Sequence, residues 1–304
     1  MDDVAKPITS PPAWITAAPA VFVLLWSGGF AFAKLGLRHA EPFTFLALRY
    51  LVLVVCLVVL FALLRPPLPA TRAELGHQAV VGLFIQSLYF ILTYVAFVLG
   101  VSAGTFGVVV AFQPILVGLL ALRVAGESVP VTRWAGLAIG MVGVVVVITA
   151  TTGIGDSTQV GILCSVGALL AMTTGTFYEK RFGTEQHPVT ANLVQYVVAL
   201  VTCAPLALLF ETMRIEWTTE FVVSLAYLVV GNSLISLTLL LAMIRAGEVS
   251  RVSALFFLVP PTAAAVAWLL VDEAMPWQAW LGMAVALAGV VTATKARSAK
   301  AGAA

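Results

Sequence analysis

The sequence predicts an all-helical membrane protein of ten transmembrane helices, arranged as two inverted five-helix repeats around a central cavity. Three observations carry that prediction: the composition, a series of apolar runs of span length, and an internal repeat that keeps register along the chain. Hydrophobic residues make up 61% of the 304 and charged residues 10%, with a mean hydropathy of +1.06. A soluble domain carries about 25% charged residues, so this chain is expected to fold in a lipid bilayer. The net charge of +2 says little by itself.

Runs of about 20 apolar residues cross a bilayer, and ten are found in order. The first, 14–37, holds Trp26 and the pair Gly28-Gly29 and closes with Lys34; the second, 42–64, carries Arg49 and Cys56. After the longest linker, 65–76, the third runs over 77–100 with Gln86, Ser87 and a group of rings. The fourth, 102–123, contains Pro114; the fifth, 132–150, follows Glu127 and Pro130; the sixth is 159–178, with Cys164. The seventh, 188–210, includes Cys203, and the eighth, 221–243, carries Asn232 and Ser233. The ninth, 250–271, contains Pro260-Pro261, and the tenth, 277–294, follows Glu273 and Pro276. So little chain lies between spans that no soluble catalytic or regulatory domain fits.

Lys and Arg concentrate on cytoplasmic loops. With the N-terminus inside, Lys6, Arg65, Arg72, Arg123, Arg133, Lys180, Arg181, Arg245, Arg251, Lys295, Arg297 and Lys300 fall on the cytoplasmic side, 12 of the 16 cations, so both termini are expected there. No cleavable signal is expected, because the first apolar run is already span-length and leads into a second. The three cysteines all lie inside spans and read as small apolar side chains.

The repeat has an offset of 146: Gly29 pairs with Gly175, Lys34 with Lys180, Pro42 with Pro188, Tyr50 with Tyr196, Ser87 with Ser233, Pro114 with Pro260, Glu127 with Glu273, Trp134 with Trp280 and Gly143 with Gly289. The expected division is therefore 1–150 for the first repeat and 151–304 for the second, with a short cytoplasmic C-terminal tail. Five spans per copy is an odd number, so the second copy enters the membrane from the opposite side. Such inverted repeats mark secondary transporters, with the solute site near the midplane where corresponding helices are interrupted. Pro114 and Pro260 are a matched pair of interruptions and read as hinges, against the alternative of static kinks.

Polar and aromatic residues near these breaks make up the candidate cavity. Gln86 and Asn232 are amides at equivalent places in the third and eighth spans, able to donate and accept at once, or to bond helix to helix. Trp26, Tyr89, Phe90, Tyr94, Phe112, Gln113, Tyr178, Ser236, Phe256 and Phe257 complete the set, aromatic walls with a few polar groups that suit a planar or apolar small molecule. Lys34 and Arg49 are the candidate charged contacts; each either snorkels to the headgroups, meets a solute carboxylate or pairs with Glu41. Glu127 and Glu273 read as carboxylates that help the next helix begin. No acidic residue lies deep in a span, which favours facilitated transport over ion coupling.

Other chemistries have little to stand on. His39, His77 and His187 sit at span edges, no Gly-x-Ser-x-Gly elbow occurs, and Gly28-Gly29 follows no strand. No catalytic residue, metal or cofactor is expected, and an intramembrane enzyme or a structural subunit remain alternatives of a different class. A nucleotide-sugar carrier needs more cations in the cavity than the spans offer.

The pattern Ser102-Ala103-Gly104, Gln113-Pro114, Gly126-Glu127, Trp134-Ala135-Gly136 and Gly140-Met141-Val142-Gly143, echoed by Ser250 to Ala254, Val259-Pro260, Asp272-Glu273, Trp280-Leu281-Gly282 and Gly289-Val290, resembles the drug/metabolite transporter superfamily. It is similar in particular to its ten-helix EamA-type exporters, and within them to aromatic amino-acid exporters of the YddG type. The resemblance implies export of amino acids or related metabolites across a bacterial inner membrane by alternating access, by a protein that functions as a monomer, with no nucleic-acid partner. Asp272 stands where that family usually has glycine, which puts the tightness of the turn before Glu273 in question.

Overall fold

In hydrocarbon a backbone finds hydrogen-bond partners only in itself, and most of the described residues are accordingly helical. The computed structural model describes residues 13–69, 71–113, 115–116, 119–120, 131–151, 156–182, 186–236, 239, 258–273 and 275–295. Ten helices carry them: α1 (Ala13–Gly36), α2 (Pro42–Leu64), α3 (Arg72–Val98), α4 (Ala103–Val110), α5 (Val131–Thr151), α6 (Asp156–Phe182), α7 (Pro188–Phe210), α8 (Thr219–Ser236), α9 (Val259–Val271) and α10 (Trp277–Lys295). Among the described residues six of these (α1, α2, α3, α6, α7 and α8) are long and apolar enough to cross a membrane, and α5, α9 and α10 hold shorter apolar stretches.

Local chemistry sets the ends. Thr71, Ser102, His187 and Thr218 each accept a backbone N–H of the following turn, from Glu74, Thr105, Val189 and Phe221, satisfying donors that a helix start leaves bare. Pro42 and Pro188 open α2 and α7, where a missing N–H costs nothing. Asp272 ends α9 in the left-handed region at φ 58°. Aspartate is one of the few non-glycine residues that accept this conformation, so the turn before Glu273 closes without the glycine.

The described residues before the first predicted hinge depart from a continuous α-helix. α4 stops at Val110, and a helix continuing past it would set the Pro114 ring against the Val110 carbonyl. The backbone there tightens, with the Phe112 N–H bonding to Val109 O at 3.3 Å and the Ile115 N–H to Phe112 O at 3.1 Å. Pro114 itself lies outside the described residues, as do Phe256 and Phe257. The ninth span was expected over 250–271 with Pro260 near its middle. Residues 250–257 lie outside the described residues; the described helix, from Val259, has Pro260 and Pro261 in its first turn, where proline fits without loss.

Packing follows the offset of 146. α5 lies against α10, α2 against α7, and α4 against α9; α1 packs on α8 and α9, and its counterpart α6 packs on α3 and α4. The α5·α10 contact is backbone on backbone. A Cβ at Gly143 would come 2.5 Å from the Gly282 carbonyl, and one at Gly289 2.6 Å from the Gly136 carbonyl, so glycine is what lets the two helices approach. Gly143 faces Gly282 while Gly289 faces Gly136, so the two counterpart helices run antiparallel. The same holds for α2 and α7. Glu211 after α7 accepts the N–H groups of Phe43 and Thr44 at the start of α2, and Thr190 at the start of α7 donates to Pro67 O after α2.

The loops divide between two faces. On one, the α1–α2 turn pairs with the α7–α8 loop through an isolated bridge between Ala40 and Ile215, and Glu41 accepts from Thr212. On the other, Gln186 before α7 donates to Glu74 at the start of α3. Between the faces one apolar core joins α1, α2, α3, α4, α6, α7, α8 and α9 around Phe45, Tyr50, Leu53, Tyr94, Phe106 and Phe221, and a second lies under α4, α5 and α10 around Val108, Phe112, Val144 and Met283. Leu51, Val55, Val59, Leu208 and Leu209 point outward, the surface expected against lipid.

Candidate functional site

Two helices widen, α3 in its middle and α8 over the second half of its described length. Gly82–Leu88 in α3 and Tyr227–Ser236 in α8 are π-helical, with i→i+5 turns. Shifted by 146, the first segment falls within the second. Such turns are rare and collect at functional sites, because the looser ladder re-aims side chains and frees backbone groups. The α3 segment holds Gln86 and Ser87 and the α8 segment Asn232 and Ser233, the amide and hydroxyl pairs picked out by the repeat. Tyr50, buried on α2, donates its hydroxyl to the Gln86 carbonyl.

Beside these turns lies a cleft lined by Trp26, Gly29, Phe30 and Ala33 of α1, Arg49 of α2, Tyr89, Phe90, Thr93, Tyr94 and Phe97 of α3, and Leu228 and Asn232 of α8. It is narrow and closed in this state, with a free volume of about 20 Å³, room for about one water. The rings form a continuous wall, with Tyr89 edge-on to Phe90 at 4.9 Å and Phe97 edge-on to Phe106 at 5.2 Å. Asn232 donates to the Leu25 carbonyl at 3.3 Å, and it reaches α1 because a Cβ on Gly29 would sit 2.5 Å from its Nδ2. Gly28 makes the same room for Tyr227, whose hydroxyl donates to Leu25 O at 3.1 Å. The glycine pair thus lets α8 approach α1 closely.

Arg49 does not snorkel, and it does not pair with Glu41. Its side chain turns into the bundle and is 1% exposed. One Nη donates to the Tyr94 hydroxyl at 3.3 Å; the other donates to Asn232 Oδ1 at 3.3 Å and Ser233 Oγ at 2.9 Å. The guanidinium also lies 4.6 Å from the Phe90 ring centroid. The arginine faces inward because α2 buries Leu46, Tyr50, Leu53 and Leu57 on the same stripe.

Lys34 likewise has a partner other than headgroups or Glu41. It pairs with Glu273 and donates to Val101 O at 2.9 Å. Glu273 was expected to help α10 begin; its second oxygen instead accepts the Ala103 N–H at 2.9 Å, so it serves the start of α4, where a helix N-terminus favours negative charge. This pair borders a wider recess of about 630 Å³ formed with Leu37, Arg38, Val98 and Val271. Phe97 lines both the recess and the narrow cleft.

Of the expected residues, Trp26, Tyr89, Phe90, Tyr94, Asn232 and Arg49 meet at the cleft. Gln86 lies next to it in sequence, buried, its Oε1 without a hydrogen-bond partner. Ser236 is fully buried, its hydroxyl also unpartnered. Phe112 belongs to the second core, where its ring fills the space over Gly140. Gln113 donates to Thr176 on α6 at 3.1 Å, and Tyr178 meets His77 at 2.8 Å. Phe30, Ala33, Phe97 and Leu228 were not foreseen. The signal was there: Trp26, Phe30 and Ala33, and Phe90, Thr93 and Phe97, repeat at helical spacing and extend the aromatic face. Among the described residues no group of three or more His, Cys, Asp or Glu is placed to hold a metal ion.

With this geometry in place, comparison with known proteins is informative. The profile of the EamA-like transporter family matches residues 13–149 and again residues 159–294. An uncharacterized transporter of Bacillus subtilis, YvbV, is 26% identical over 289 residues, covering 93% of each chain. A probable amino-acid metabolite efflux pump of Salmonella typhimurium is 27% identical over 281 residues, covering 88% of this chain and 90% of the pump; its namesake in Escherichia coli is 24% identical with the same coverage. A solved crystal structure superposes with a TM-score of 0.63 over 93% of this chain and 97% of the other at 20% identity, a likeness of fold.

Proposed function

The chain belongs to the EamA-like transporter family and is an integral membrane transporter, and from that premise we propose that it exports amino acids or related neutral metabolites across a bacterial inner membrane. The observation that carries this reading is the cleft itself, where aromatic walls and the amide of Asn232 meet beside two matched π-helical turns. The relatives named amino-acid metabolite efflux pumps support the solute class. The aromatic walls favour planar side chains among the solutes. A nucleotide-sugar carrier finds less support, since Arg49 is the one cation lining the cleft among the described residues.

The mechanism proposed is alternating access by two inverted repeats, 1–150 and 151–304, with both termini cytoplasmic. The antiparallel counterparts α5 and α10 support the inversion. The solute occupies the cleft, and the backbone around Pro114 and Pro260 is where the halves flex. Lys34 and Glu273 close the mouth on the face of the α1–α2 turn. The repeat supplies the same two residue types for the opposite mouth, Lys180 and Glu127. We take transport to be facilitative or weakly coupled, a reading supported by Arg49 and two tyrosines being the ionisable residues that line the cleft among the described residues.

Counterflow into proteoliposomes is the test. Labelled amino acids are expected to exchange into vesicles preloaded with unlabelled solute, with tryptophan and phenylalanine competing better than threonine. Absence of counterflow for every amino acid refutes this function, and equal competition refutes the aromatic preference.

A further inference from the structure

A charge withdrawn from water without a counter-ion is among the least favourable groups a protein can bury, and in a membrane span such a group marks a functional site by default. Arg49 is in that position. The ion pairs among the described residues sit at helix ends, on Lys34, Arg38 and His39, and none of them includes Arg49. Its partners are an amide oxygen and two hydroxyls, which orient a guanidinium but leave its unit charge uncancelled. Its Nε has no hydrogen-bond partner. Nor does the fold need a cation there: the counterpart 146 residues on is Gln195, a neutral side chain buried and satisfied by Gln78 at 2.8 Å.

Resting on the transport reading above, we propose that Arg49 is the anchor for a carboxylate of the transported solute, so that the substrates are small monocarboxylates, amino acids included, with an apolar or aromatic body. A carboxylate supplies the charge and the acceptor that the site lacks, and the guanidinium fork matches its geometry. Phe90, stacked on the guanidinium, continues into the aromatic wall where the rest of the solute lies. Among the described residues, solutes with several phosphates find no second free cation there, because in the neighbouring recess Lys34 is held by Glu273 and Arg38 by Glu220.

The experiment compares L-phenylalanine, its uncharged-carboxyl analogue L-phenylalaninamide, and 3-phenylpropionate as competitors of labelled amino-acid counterflow in proteoliposomes. Both acids are expected to compete, and the amide about 10-fold or more weakly, the scale of a charge-assisted hydrogen bond. Arg49→Gln, which installs the residue of the counterpart position, is expected to erase the acid preference. Arg49→Lys keeps the charge without the fork and is expected to retain the preference at lower affinity. An amide that competes as well as the acid in the wild-type protein overturns the inference while leaving transport intact, and needs no variant to fold. A monodisperse Arg49→Gln protein that still prefers acids overturns it too. If no amino acid exchanges at all, the transport reading fails and this inference with it.

Discussion

Tyr50 shows how much a single hydroxyl does in this bundle. Its ring is fully buried, and its hydroxyl donates to a carbonyl inside the π-helical segment of α3, binding α2 to the most irregular part of its neighbour. Tyr50→Phe keeps the ring and removes the donor, and a buried acceptor left bare costs about 1–3 kcal/mol. The expected outcome is a lower thermal unfolding midpoint in detergent at unchanged helicity; an unchanged midpoint means the carbonyl does not depend on Tyr50. Residue-level legibility was uneven for a physical reason. In α2 the lipid-facing residues Leu51, Val55 and Val59 are as apolar as the buried Leu53 and Leu57, so hydrophobicity does not mark the inner face. Arg49 marks it, yet nothing in the sequence says whether a lone arginine points in or climbs toward headgroups. The Lys34–Glu273 pair was out of reach because its members stand 239 residues apart.

Among elements, the spans were readable because bilayer thickness fixes their length, and α2 and α7 run as expected over 42–64 and 188–210. The π-helical turns were not, since one widened turn leaves a run of apolar residues looking the same. The contact of α5 with α10 yields the sharpest test at this scale. At Gly143 a methyl group meets the Gly282 carbonyl oxygen at 2.5 Å, and with backbone on both sides neither helix has a flexible end to give way. Gly143→Ala is therefore expected to destabilise by about 1–3 kcal/mol, the range of an overpacked core. The same exchange at Gly76, in α3 with nothing within 4 Å of the added Cβ, is expected to stabilise by about 0.4–1 kcal/mol by restricting the unfolded chain. Thermal melts of both variants check the pair, and a neutral Gly143→Ala removes the claim that this contact is backbone on backbone.

For the whole molecule the repeat was visible as an offset of 146, while the depth and narrowness of the cleft were not, because they arise where α1, α2, α3 and α8 meet. What the assembled bundle adds is a pair of opposite charges drawn together beside the recess. Lys34 on α1 and Glu273 beyond α9 are only 16% and 21% exposed, and Glu273 also fastens the start of α4, so one carboxylate ties three elements beside the recess that shares Phe97 with the cleft. Glu273→Gln keeps an acceptor for the Ala103 N–H and removes only the charge. If the pair closes the mouth on the face of the α1–α2 turn, its loss shifts the population toward the state open on that face, by about 1 kcal/mol for a partly exposed pair, or roughly fivefold. The reporter is Ala33→Cys, in the cleft one residue before Lys34, with Cys56, Cys164 and Cys203 replaced by alanine. Glu273→Gln is expected to raise its labelling by a membrane-impermeant maleimide applied on that face about fivefold. The exchange of charges, Lys34→Glu with Glu273→Lys, is expected to bring labelling back toward the starting rate. Labelling at the same rate in all three proteins means the pair fastens helices without governing access, and the gate would then have to be sought at another place in the bundle.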